Sequence, residues 1–122
     1  MPFKPDTMLL GIKRIYEKVE VTDGTRILVD RLWPRGVRKS TAHIDRWMKE
    51  VAPNNELRIW FGHDPAKWEE FRKRYADELK GSKALDELLG IIRKEDVTLV
   101  YSAHDAEHNN AVVLAELINE RL

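Results

Sequence analysis

The run "VTLVY" (97–101) is unbroken and mostly apolar, and it gives way at once to the polar string "SAHDAEHNN" (102–110). A half-exposed strand alternates apolar and polar residues; one covered on both faces does not, so this run predicts an interior strand of a small parallel sheet. "ILV" (27–29) and "MLLGI" (8–12) have the same character and predict two further strands. The runs at 27–31 and 97–101 are expected to lie parallel as neighbours or near neighbours, because both carry their polar residues only at the far end.

Between the second and third runs the apolar period changes to that of helices. Ile44, Trp47, Met48 and Val51 follow offsets of 0, 3, 4 and 7 ahead of Pro53 and predict one helix. A second starts with Asp64 as N-cap and Pro65 at its first position, faces Trp68, Phe71, Tyr75 and Leu79 inward, and stops at Gly81. Ser82 caps a third, with Leu85, Leu88, Leu89 and Ile92 inward. A last helix from about Asp105 buries Ala111, Leu114, Leu117 and Ile118. "NELRIWFGH" (55–63) fits a strand through Leu57, Ile59 and Phe61, or a helix capped by Asn54 or Asn55, and the helix is preferred. "EKVEVTDGT" (17–25) is short for a parallel crossover, and its Asp23-Gly24 pair is a hairpin signal, so both connections stay open on periodicity. The alternation gives an α/β fold: one small Rossmann-like three-layer domain over 1–122, with a mostly parallel sheet and helices on both faces.

With 122 residues the chain buries roughly 65% of its unfolded surface, enough for one core. The absence of Cys excludes disulfides, thiolate metal sites and a Cys nucleophile, and fits the cytoplasm. No apolar run approaches the roughly 20 residues of a membrane span, and the first twelve residues do not form a secretory signal. A 34% charged fraction with neither Cys nor Gln leans toward a heat-adapted source. The balance of 21 Lys and Arg against 21 Asp and Glu disfavours a general nucleic-acid binder, so affinity for anions must be local. "RILVDRLWPRGVRK" (26–39) is the local exception, with four Arg and one Lys against one Asp.

Ligands of open parallel sheets gather beyond the carboxyl ends of the strands. That rule brings Asp30, Arg31 and Arg35 toward Ser102, Asp105, His108, Asn109 and Asn110. Ser102 and Asp105 have the spacing of a cap and its reciprocal partner, which would aim free N–H groups of the last helix at the same rim. Guanidinium forks suit phosphate or carboxylate, and Asp30 would orient one of them. The competing reading is an internal Asp30 to Arg ion-pair network that pins the loop. "HDAEH" (104–108) matches the H-x-x-E-H zinc pattern literally, but His104 falls in a loop and too little chain follows for a third ligand, so no metal is expected. The alternating charges of "WEEFRKRYADELK" (68–80) read as a solvated helix face.

The blocks "DGTRILVDRLWPRGVRK" (23–39), "DRWMKEVAPNNELRIWFGHDPAKWEEFRKRYADEL" (45–79) and "VTLVYSAHDAEHNNAVVL" (97–114) resemble the YeaO-like branch of the domain-of-unknown-function family 488 across nearly the whole chain. The resemblance implies a small Rossmann-like fold and no established activity. It implies a motif "LVDVR" followed by Pro after an early strand, matched here by "LVDRLWPRG" (28–36) with Asp30, Arg31 and Pro34. It also implies a "CHR" motif after the last strand, and here "EHNNA" (107–111) stands instead, so Cys-based chemistry does not carry over. His108 and Asn109 occupy the corresponding helix start, and His104 stands where relatives are expected to have Lys. On this likeness the 17–25 connection is a trimmed parallel crossover.

These readings converge on an anion-binding cleft at the carboxyl edge of the sheet, with a small phosphate- or carboxylate-bearing partner. As an enzyme acting on a small molecule or nucleotide, the chain would use Asp30 and His108 catalytically, with Arg31, Arg35, Ser102, Asp105, Asn109 and Asn110 holding the ligand. As a non-catalytic module it would bind a nucleotide, nucleic-acid phosphate or protein in the same place, and exposed Trp33 or Trp60 would anchor a protein partner. Any cofactor is unknown from the sequence.

Overall fold

The structure, a computed structural model, describes residues 9–122. Met8, the first residue of the first expected strand, lies outside them. Strand β1 is Leu10–Arg14, β2 is Thr25–Leu28, helix α1 is Lys39–Ala42 and β3 is Arg46–Trp47. Helices α2 (Asn55–Phe61), α3 (Trp68–Leu79) and α4 (Lys83–Ile92) follow, then β4 (Val97–Tyr101) and α5 (Asn110–Arg121). The sheet order is β1-β4-β2-β3 and every pairing is parallel, with Leu10 opposite Val97, Thr25 opposite Val97 and Ile27 opposite Arg46. This is a small Rossmann-like α/β domain. "VTLVY" is the interior strand, every residue of it buried, as its lack of alternation requires.

The two faces of the sheet are covered differently. Ile27, Val29, Val97, Leu99 and Tyr101 point to the face on which α2 to α5 pack, with Phe71, Tyr75, Leu85, Leu88, Leu114 and Ile118 at its centre. Leu28 and Val100 point to the other, where Ile15, Trp33, Val37, Ala42, Ile44 and Trp47 close a smaller core under one turn of helix. The β1–β2 connection also runs over this second face. It is a parallel crossover without a hairpin: a 3-10 turn at Val21–Asp23 lets Thr98 Oγ1 donate to the Asp23 carbonyl at 2.7 Å. Beneath it the Asp23 carboxylate bridges Lys13 and Arg26, each at 2.7 Å, and Arg26 also donates to the carbonyls of His43 and Ala42.

Gly24 ends that turn at φ 65°, ψ −139°, and a Cβ there would lie 2.5 Å from the Asp96 carbonyl oxygen. Both the conformation and the clash exclude a side chain. Gly24→Ala is therefore expected to cost more than about 2 kcal/mol, read from the urea midpoint at unchanged slope.

The helical boundaries confirm some expectations and correct two. Asp64 accepts from the Ala66 amide, Ser82 from Leu85 and Asn54 from Leu57, so the second and third expected helices and the preferred reading of 55–63 hold. The helix expected through Ile44, Trp47, Met48 and Val51 does not form. Arg46–Trp47 add to the edge of β2 instead, with Asp45 and Met48 amides donating to the Arg26 and Leu28 carbonyls, and Lys49–Val51 make a 3-10 turn. Ile44 and Trp47 thus enter the smaller core while Met48 and Val51 enter the larger, a division a strand permits and one helical stripe does not. The last helix starts at Asn110, capped by Asn109, because the Asp105 carboxylate accepts from the Glu107 and His108 amides and makes its own turn first.

Candidate functional site

Beyond the carboxyl ends of β2 and β4 lies an open cavity of about 340 Å³ bordered by Asp30, Arg31, Arg58, His63 and Ser102. They come from the loop after β2, from α2 and the turn that follows it, and from the loop after β4. Asp30 follows β2, and its Oδ2 accepts from both the amide and the hydroxyl of Ser102, at 2.9 Å each, which ties the loops after β2 and β4 together. Burial pushes the Asp30 carboxyl above its ordinary range, while the Ser102 bonds, the neighbouring Asn110 amide and a positive charge on His63 pull the other way. Asn110, in the first turn of α5, donates to the Val29 carbonyl at 2.8 Å and so fixes the helix start to the end of β2.

Arg31 reaches across to the loop before α2, donating to the Pro53 carbonyl at 3.0 Å through Nε and to Ala52 at 3.2 Å through a terminal nitrogen. Its charge is held in place by neutral carbonyls and has no carboxylate partner among the described residues. Arg58 comes from α2. One terminal nitrogen touches Asn55 at 3.4 Å, while Nε is buried and has no hydrogen-bond partner among the described residues. A buried donor in that state costs about 1–3 kcal/mol, so it marks a place where an acceptor belongs. His63 sits between the glycine that ends α2 and the Asp64 that caps the next turn, at φ 60°, which turns its ring to the cavity wall beside Phe61.

The expected residues divide. Asp30, Arg31, Ser102, Asn109 and Asn110 come together at the cavity. Arg35, Asp105 and His108 do not line it. Arg35 is exposed on the far side of the 31–38 loop, where its carbonyl faces the Tyr16 hydroxyl. Asp105 and His108 engage each other, with His108 Nδ1 2.8 Å from Oδ2, and the imidazole stands edge-on to Trp68. The Glu107 amide and then the His108 contact hold the Asp105 carboxyl below its ordinary range. Asn109 is buried and spends its side chain on the Val112 amide and the Asp105 carbonyl. The expected Ser102–Asp105 capping pair is absent, since Ser102 serves Asp30. The cations of 26–39 are likewise dispersed: Arg26 is buried with Asp23, Arg31 lines the cavity, and Lys39 lies over Trp33 on the outer face. Among the described residues no three His, Asp or Glu side chains gather as a metal set, and His104 is exposed.

Arg58 and His63 are cavity residues that the sequence did not assign to the anion cleft. His63 alone carries a local signal, "FGHD" (61–64), in which a helix end closed by glycine and followed directly by a new N-cap fixes where the intervening His emerges.

Residues 9–122 match the family model described as the inactive DUF488-N3 subclade. The chain belongs to this family. An uncharacterised protein of Mycobacterium tuberculosis is 43% identical over 90% of this chain and 93% of its own length, and one of Mycobacterium bovis matches equally. The uncharacterised protein YeaO of Escherichia coli is 42% identical over 89% of this chain and 96% of its own. No solved structure matches. The DUF488-N3 chain described here has no helix, among its described residues, long and apolar enough to cross a membrane.

Proposed function

We propose that the protein binds a small anionic ligand in the cavity between the β2 and β4 loops and does not turn it over. The observation that carries the binding half is a cavity bordered by Arg58, whose Nε has no partner among the described residues, by the carbonyl-fixed Arg31, and by only one carboxylate, that of Asp30. Two guanidinium groups facing one tethered carboxylate leave a positive site for a phosphate or carboxylate. The non-catalytic half is supported by "EHNNA" in place of the Cys motif and by the family's description as inactive. The diversion of His108 and Asp105 to each other also removes from the cavity the acid-base group first assigned to it. A cytoplasmic, heat-adapted setting belongs to the same proposal, on the absence of Cys and the charged composition.

Arg58→Met separates binding from folding. It removes an unsatisfied buried donor while keeping most of the apolar stem, so the melting temperature of the variant should equal or exceed that of the parent. Inorganic phosphate should raise the melting temperature of the parent in a concentration-dependent way and leave that of the variant unmoved. A parent insensitive to phosphate, or a variant stabilised as much as the parent, removes the anion reading.

A further inference from the structure

We infer that the ligand is a free nucleoside monophosphate, its phosphate on Arg58 and Arg31 and a sugar hydroxyl donating to Asp30; this rests on the anion-binding reading above. The first ground is a spare acceptor. Both Ser102 bonds fall on Asp30 Oδ2, which leaves this cavity-lining carboxylate with capacity for a donor from a ligand. A ligand that brings a donor as well as an anion uses both halves of the site. That donor is neutral. An ammonium placed against Asp30 would share the cavity with two guanidinium groups and be repelled, whereas a hydroxyl is not.

The two arginines decide between phosphate and carboxylate. A phosphate monoester offers three terminal oxygens to be shared between Arg31 and Arg58, where a carboxylate offers two. The apolar wall then supplies the third part. Leu32 is 58% exposed and Ile59 69%, both border the cavity, and a sugar phosphate alone would leave them bare. A planar base between them covers both. The volume of about 340 Å³ holds one such molecule, which is the reason for assigning a free mononucleotide rather than a strand.

Calorimetric titration of the full chain tests this with the four common nucleoside 5′-monophosphates, ribose 5-phosphate, adenosine, a 5′-phosphorylated oligonucleotide and inorganic phosphate. At least one mononucleotide should bind about tenfold or more tightly than ribose 5-phosphate or phosphate, a difference of one decade in Kd. Adenosine should not bind in the same range. Asp30→Asn should weaken the mononucleotide by about tenfold and leave inorganic phosphate unchanged. Because Asp30 also ties two loops, Ile59→Ala serves as the second variant: its side chain is exposed, its folding is safe, and it should weaken the mononucleotide alone. If mononucleotides bind no better than phosphate, or Ile59→Ala changes nothing, the nucleotide assignment is overturned and the anion site stands. If the oligonucleotide binds more tightly than any mononucleotide, the free-nucleotide assignment is overturned. If no phosphate-bearing probe binds, both fall.

Discussion

Replacing Asp23 by Ala is expected to lower the unfolding free energy by about 3–5 kcal/mol, because it strands a buried guanidinium. Asp23 is 4% exposed, and its carboxylate is, among the described residues, the one anion bonded to the Arg26 guanidinium, which is itself buried and otherwise donates only to the carbonyls of His43 and Ala42. Lys13 loses a partner as well but keeps Glu20. The double variant Asp23→Ala, Arg26→Met should recover much of the loss, since no unpaired charge remains. Hydrogen bonds from Lys13, the Glu20 amide and Arg26 outweigh burial and hold the Asp23 carboxyl below its ordinary range. The sign follows: the stability it contributes is complete above the unfolded carboxyl pKa of about 3.9 and is lost as the pH falls through the lower folded value. Urea melts at pH 7 and in the acid range check both statements. An Asp23→Ala protein as stable as the parent would show that the bridge contributes nothing net.

Phe71→Ala carries the second large effect, about 3–5 kcal/mol. Phe71 stacks on Phe61 at 4.2 Å between centroids and touches Trp68 and Tyr75, so truncation removes the middle ring of an aromatic row. Phe61 and Phe71 also line the cavity. Neighbouring Tyr75 is buried, donates its hydroxyl to the Val51 carbonyl, and cannot swing into the gap without giving up that bond. Phe71→Leu should recover more than half of the loss in a thermal or urea melt, as expected where volume rather than aromaticity is at stake.

The strands were legible because burial on both faces removes alternation, and "ILV" and "VTLVY" had no other reading. The helices marked by Asp64-Pro65 and Ser82 were legible through their caps. What escaped was structure made by the backbone of another segment. Arg46–Trp47 are a strand because β2 offers them an edge, and nothing in their own side chains says so. The site divides along the same line. Asp30 and Arg31 follow from their place after a buried strand, whereas Arg35, four residues from Arg31, is chemically alike and turns outward because the loop reverses at Pro34 and Gly36. Arg58 depends on α2 lying across the sheet end, which no local pattern encodes.

The strand order has a consequence for how the chain reaches this shape. β1 and β2 never touch as partners; each pairs with β4, which lies between them. During synthesis β1 and the β4-facing edge of β2 must therefore wait unpaired until Val97–Tyr101 has left the ribosome, and the sheet closes only when that strand inserts. Such non-local closure is slow and leaves apolar edges open to other chains. Val97–Tyr101 is thus the segment whose arrival ends the chain's exposure to aggregation, and mutations that weaken it should appear first as lost soluble yield on expression.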